Sequence, residues 1–133
     1  MKRLIATLSL LAMLTACQTS STKENPLLTE STLDYQAPDF SKIRPEHFVP
    51  AIKEGIRIQL AEIDSITSNT AAPTFENTVL AYEKSGRLLA RATSILSGLV
   101  GADGTEELQK IDEETTPMLS AHHDALLLNE KLF

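Results

Sequence analysis

The side chains of this chain that could hold a metal or move a proton are three histidines, one cysteine and eighteen carboxylates. His47, His122 and His123 form no H-E-x-x-H pair and no Cys/His cluster at zinc spacing. His122 and His123 are neighbours, so on a helix they diverge by about 100° and cannot clamp one ion together. His122 falls on an apolar stripe, where a hydrogen-bonded structural imidazole is expected, and His123 is expected in solvent. His47, beside Glu46 at a helix start, suits a cap or surface role. Glu106, Glu107, Asp112, Glu113 and Glu114 are the densest acidic group. Acids favour helix N-termini, and consecutive ones splay around the axis, so solvation and not metal binding is expected. No Ser or Thr has a paired base at a recognisable spacing. Gly98, Gly101 and Gly104 punctuate a helix end and do not form a phosphate loop. The spacing alone yields no catalytic residue and no metal ligand, and no cofactor is expected on this chain's own residues.

Cys17 offers different chemistry. Lys2 and Arg3 precede an apolar run from Leu4 to Met13, which closes on Leu14-Thr15-Ala16-Cys17. A basic start, a short apolar core and small residues before a break describe a secretory signal. The run is too short to span a bilayer as a mature helix. Its last four residues resemble the bacterial lipobox, in which the thiol takes a diacylglyceryl group as a thioether. Residues 1–16 are thus expected to be a lipoprotein signal peptide and Cys17 the lipid attachment residue. Gln18, where Asp would retain such a protein at the inner membrane, implies a cell-envelope location at the outer membrane, facing the periplasm. Removing residues 1–16 takes away Lys2 and Arg3 and no acid, which moves the net charge from −6 to −8. A chain this acidic has no basic face for nucleic acid. It would be held at a membrane by acyl chains and not by cationic patches.

The elements that must position these residues read as helices. With 42% hydrophobic residues, no Trp and sparse aromatics, the composition suits a helical bundle. Residues 18–32 hold seven Ser or Thr and Pro26, the composition of a flexible linker, and residues 17–38 are assigned as a tether. Tyr35 and Phe40 are expected to pack onto the body. The first helix is expected over 45–68, opened by Pro45 and reset or kinked at Pro50, with Ile52, Ile56, Leu60 and Ile63 on one face. The second is expected over 74–100, capped by Thr74. Its seam runs through Phe75, Val79, Tyr82, Gly86, Leu89, Thr93, Leu96 and Val100, with Gly86 allowing close approach of a neighbour. Leu80, Leu88, Ala92, Ile95 and Leu99 add a nearly opposite apolar side, so this helix expects protein around most of its circumference. The third is expected over 104–128, started by Asp103 with Glu106 and bent or divided near Thr116 by Pro117. The fold class is all-α, with about three antiparallel helices. Ending on Leu132-Phe133 without a polar cap reads as a chain cut within a domain.

Four runs then converge on one resemblance. They are Lys42 through Ile52, Pro73-Thr74-Phe75-Glu76-Asn77-Thr78, Glu83 through Leu89, and Ile111-Asp112-Glu113-Glu114 onward through His122 to Asn129 and Leu132-Phe133. Together they are similar to the N-terminal region of the thimet oligopeptidase-like zinc metallopeptidases, on the bacterial peptidyl-dipeptidase (dipeptidyl carboxypeptidase) branch. The resemblance covers residues 39–133. It implies an almost wholly α-helical enzyme that releases dipeptides from the C-termini of short peptides, with zinc held by H-E-x-x-H and a distant Glu. It also implies that these N-terminal helices line a deep channel. The chain carries no position matching the zinc motif, so no catalytic or metal residue transfers. Phe75, Glu76, Asn77 and Thr78 transfer only as a structural motif, with Phe75 anchoring the core and Asn77 and Thr78 ordering the first turn. The expected partners are a missing C-terminal catalytic region, short peptides in the complete enzyme, and a membrane through the lipid anchor. The alternative is a standalone membrane-tethered helical lipoprotein that binds a partner protein or peptide.

Overall fold

The first long helix, α1 (Phe48–Thr67), follows from the recurrence of Phe48, Ala51, Ile52, Gly55 and Ile63 on one face, all buried. A 3-10 turn, Pro45–His47, leads into it, and His47 Nδ1 accepts the Arg44 backbone N–H at 3.0 Å. That fixes the histidine as a local cap. Pro50 sits in the first turn, where backbone N–H groups have no intrahelical partner, so α1 runs through it without the expected reset. A computed structural model describes residues 25–132. The signal segment, Leu14 to Cys17, the start of the tether and Phe133 lie outside the described residues.

The expected second helix is divided. Thr74 caps a wide π turn over Phe75–Val79, a short α2 follows over Leu80–Lys84, and α3 occupies Arg87–Asp103. Between them Ser85 is extended and Gly86 is left-handed, with φ +69°. The break is stabilised from outside by the Glu62 carboxylate, which accepts the Gly86 N–H at 2.8 Å, and locally by the Ser85 hydroxyl, which donates to the Tyr82 carbonyl at 2.7 Å. Only glycine adopts that φ without strain, so the residue read as a close-approach point is a hinge point between helices. The break also changes the phase of the seam. Phe75 is 64% exposed, so it does not anchor the core, and Val79 is exposed as well. From α3 the buried residues are Leu89, Ala92, Ile95 and Leu96, a mixture of the two expected sides. Ala90, Ser94, Ser97, Gly98 and Gly101 face outward, so the exposed side of α3 is built from small residues.

The last helix, α4 (Glu106–Leu127), begins at Thr105 and not at Asp103. The Thr105 hydroxyl accepts the Leu108 N–H at 3.3 Å, whereas Asp103 is the last residue of α3. Losing that cap in a Thr105→Ala variant should lower the unfolding free energy by about 1 kcal/mol in urea titrations. Pro117 does not divide α4. Both Pro117 and Glu113, whose carbonyl loses its N–H partner, lie on the exposed side, where water reaches that carbonyl. Nearby carbonyls are taken up by the Thr115 and Thr116 hydroxyls, which donate to Ile111 O and Asp112 O at 2.8 Å each. The buried positions Leu108, Thr115, His122 and Leu126 form the inner face.

The helices pack in alternating directions. Gly55 of α1 lies against Leu89 of α3, and Glu62, two turns further along α1, reaches back to Gly86, so α1 and α3 are antiparallel. After the Gly104-Thr105 turn, α4 returns and brings His122 to Gln59 of α1. The described residues are all-α, without strands. The core joins Phe48, Ala51 and Ile52 to Leu89, Ala92, Ile95, Leu96 and Leu108.

Leu27 belongs to that core as well and is 1% exposed. This corrects the tether assignment for its described part. Asn25 is buried too, and the body therefore begins at Asn25 among the described residues and not at residue 39. Composition hid this, because two leucines within a Ser/Thr-rich stretch carry little average hydrophobicity. Tyr35, expected to pack, is 104% exposed in a turn with positive φ, and Phe40 is also exposed.

Candidate functional site

The most organised polar group lies where α1, α3 and α4 meet. Gln59, one turn before Glu62, interrupts the apolar face of α1. Its amide oxygen accepts from His122 Nε2 at 2.8 Å, while its amide nitrogen donates to the Ser85 hydroxyl at 3.3 Å. These contacts assign the Nε2–H tautomer to His122. The ring is 7% exposed, and its Nδ1 has no hydrogen-bond partner. Gln59 also fills the space over Gly86 that a side chain there would need. The group therefore links the hinge at Gly86 to two long helices. An open groove beside it is lined by Tyr82, Thr93, Leu119 and His123.

Burial pushes the His122 imidazole below its ordinary value of 6.5, and the adjacent His123 pushes the same way. The unfolded chain then binds a proton that the folded chain resists. Stability from this group is fully present above the unfolded value, is lost as pH falls below it, and is gone once pH has passed the folded value. Urea midpoints at about pH 7.5 and about pH 5 should differ more for the native chain than for His122→Gln. Equal pH dependence in both would refute this role.

The other candidates are dispersed. His123 is exposed and shares no partner with His122. Glu106, Glu107, Glu113 and Glu114 are exposed along α4. Among the described residues, no three His, Cys, Asp or Glu side chains converge where a metal could be held. The ion pairs Lys42–Asp39, Arg57–Glu54 and Arg87–Glu30 lie at the surface, where such pairs contribute little. Asp39 is held below its ordinary value by the Ser41 hydroxyl first and by Lys42 second, and Glu54 is held low by Arg57.

The Phe75-Glu76-Asn77-Thr78 run orders a turn. The Thr74 N–H donates to Asn77 Oδ1 at 2.7 Å, and the Asn77 N–H donates to Thr74 Oγ1 at 3.1 Å, a reciprocal capping box. Asn77 Nδ2 also donates to the Ala72 carbonyl at 2.9 Å, and the Thr78 hydroxyl donates to Asn77 Oδ1 at 2.8 Å. Asn77 and Thr78 thus bond within this turn, while Phe75 points away from the core. Sequence reasoning missed Gln59 and Glu62. The available signal was their position, polar residues three apart on a helix whose neighbours on that side are apolar.

Comparison with known proteins adds two findings. A family profile for the prokaryotic membrane lipoprotein lipid attachment site matches residues 1–18, the segment containing Leu14-Thr15-Ala16-Cys17. None of the described helices is long and apolar enough to cross a membrane. A dipeptidyl carboxypeptidase of Salmonella typhimurium is 45% identical over 109 residues, covering 82% of this chain and 16% of the relative. A dipeptidyl carboxypeptidase of Escherichia coli is 42% identical over 112 residues, covering 84% and 16%. An oligopeptidase A of Salmonella typhimurium is 31% identical over 109 residues, covering 82% and 15%. The chain thus spans about one-sixth of the length of these relatives.

Proposed function

This chain is homologous to the N-terminal region of the thimet oligopeptidase-like peptidases, among them dipeptidyl carboxypeptidase and oligopeptidase A, and from that premise we propose that it supplies the N-terminal helical wall of a lipid-anchored, zinc-dependent peptidyl-dipeptidase. The observation that carries the reading is the 45% identity over 82% of this chain. Exposed Leu60, Phe75, Val79, Leu127 and Leu128 support it, because apolar side chains left outside suit helices that pack against more protein. The described residues do not fit a zinc ion, since no suitable set of ligands converges. In this reading the zinc, its ligands and the glutamate that activates water belong to a catalytic region outside this chain. What α1, α3 and α4 contribute is a rigid wall that narrows access to short, unfolded peptides. Residues 1–16 act as the export signal and Cys17 carries the lipid. With Gln18 after it, the assembly sits at the outer membrane, facing the periplasm.

Complementation tests this reading. A dipeptidyl carboxypeptidase lacking its matching N-terminal sixth is co-expressed with residues 18–133. Chelator-sensitive release of C-terminal dipeptides should return only when both parts are present, and neither should be active alone. Peptidase activity with bound zinc in the purified 133-residue chain would overturn the assignment of these helices as a wall without a centre. The fully buried core around Phe48 and Ile52 favours one other reading, a standalone lipoprotein module that binds a partner. Cooperative unfolding of residues 18–133 as a monomer, together with failure of complementation, would select it.

A further inference from the structure

We infer that Asn25–Leu27 is a clamp that sets how far the folded body stands from the membrane, which is the lipid surface this part of the chain is built to face. The inference rests on the lipid-anchor reading of Cys17. Four interactions hold the clamp. Asn25 Nδ2 donates to the His47 carbonyl at 2.8 Å, and Asn25 Oδ1 accepts the Leu27 N–H at 3.0 Å. The Arg91 guanidinium donates to the Leu27 carbonyl at 3.0 Å. The Leu27 side chain is fully buried with Phe48, Ala92 and Ile95 in the core. Both polar ends of the Asn25 amide are used, and the clamp joins the start of α1 to the middle of α3. It is part of the body's packing and cannot slide along it.

The consequence is a length. From position 17 to position 25 is eight residue steps, which at full extension reach about 28 Å. A chain free as far as position 39 would have 22 steps and a reach of about 77 Å. A body whose α4 alone is about 33 Å long, held on the shorter leash, stays beside the bilayer with its Asn25 side nearest the lipid. On the longer one it would turn freely.

Energy transfer from the body to the membrane tests this with the full lipidated chain. Because acylation consumes the Cys17 thiol, an exposed Ser97→Cys gives a single labelling site. The acceptor is a headgroup dye in phosphatidylethanolamine/phosphatidylglycerol vesicles. A reference variant with about fourteen Gly/Ser residues inserted after Ser20 sets the long-leash signal. The native chain should show higher transfer than this reference. The double variant Asn25→Ala/Leu27→Ser, which removes the amide hydrogen bonds and the buried side chain together, should fall toward it. Circular dichroism checks that the body stays folded. If the double variant unfolds, the place of the insertion decides: the same Gly/Ser stretch placed after Leu28, beyond the clamp, should leave transfer at the native level. Native transfer equal to the reference would overturn the clamp, and so would a folded double variant that leaves transfer unchanged or an insertion after Leu28 that lowers transfer as far as the reference. Failure of the native chain to float with vesicles would overturn the anchor beneath it. That failure is told apart by flotation against Cys17→Ser.

Discussion

Leu27→Ala is expected to lower the unfolding free energy by about 3 kcal/mol, as large a loss as any single leucine in the main helices would cause. The expected size comes from complete burial among Phe48, Ala92 and Ile95, in a position flanked by hydrogen bonds that hold the backbone in place. A shortened side chain would leave a cavity that the clamped backbone cannot collapse to fill. Urea unfolding of residues 18–133 measures this directly. A neighbouring change at Thr29, which is exposed, should stay within about 0.5 kcal/mol of the native value. If Leu27→Ala matched the Thr29 change, residues 25–28 would be a linker after all.

Gly55→Val should be comparably damaging, at about 3 kcal/mol, for the opposite reason. A side chain at Gly55 would begin 2.8 Å from the Leu89 Cα and 2.9 Å from its backbone nitrogen. The obstacle is main chain, so it cannot yield by changing rotamer, and α1 and α3 would have to separate. Gly98 gives the control. It lies on the exposed side of α3 with nothing within 4 Å of a built Cβ. There, Gly98→Ala should raise stability by about 0.5–1 kcal/mol, because alanine favours helix. Opposite signs at two helical glycines would locate the close contact between the helices. A destabilised Gly98→Ala, or a neutral Gly55→Val, would contradict the packing described.

Much of the fold was legible because helical periodicity survives averaging. The stripes through Ile52 and Ile63 and through Leu108, Thr115 and His122 are long enough to declare their period. The division of the second helix was not legible, since Gly86 costs a helix little on its own. The break needs the Glu62 carboxylate, 24 positions away, to accept the freed N–H. Phe75 misled for a related reason: a seam extrapolated across Gly86 carries its phase past the point where the phase changes. Pro117 misled by the rule that proline interrupts helices, which is relaxed where the orphaned carbonyl faces solvent. Asn25 and Leu27 were hidden by their composition-poor surroundings. The capping box at Thr74 and Asn77 is local, and there the sequence was sufficient to order the turn. The histidine pair was read from spacing alone. His122 is indeed hydrogen-bonded inside and His123 outside. Its partner Gln59, 63 positions earlier, needed the packing of α1 on α4 to be seen.

The tie between Arg91 and Leu27 spans 64 positions and that between His122 and Gln59 spans 63. During synthesis the chain emerges from its N-terminus, so Leu27 appears well before the arginine that receives it. Until α3 has followed, Leu27 has no complete hydrophobic groove to enter and waits as an exposed leucine. The part of the body made first is therefore among the last to be fixed, and closing the core is a late, non-local event set by the arrival of residue 91.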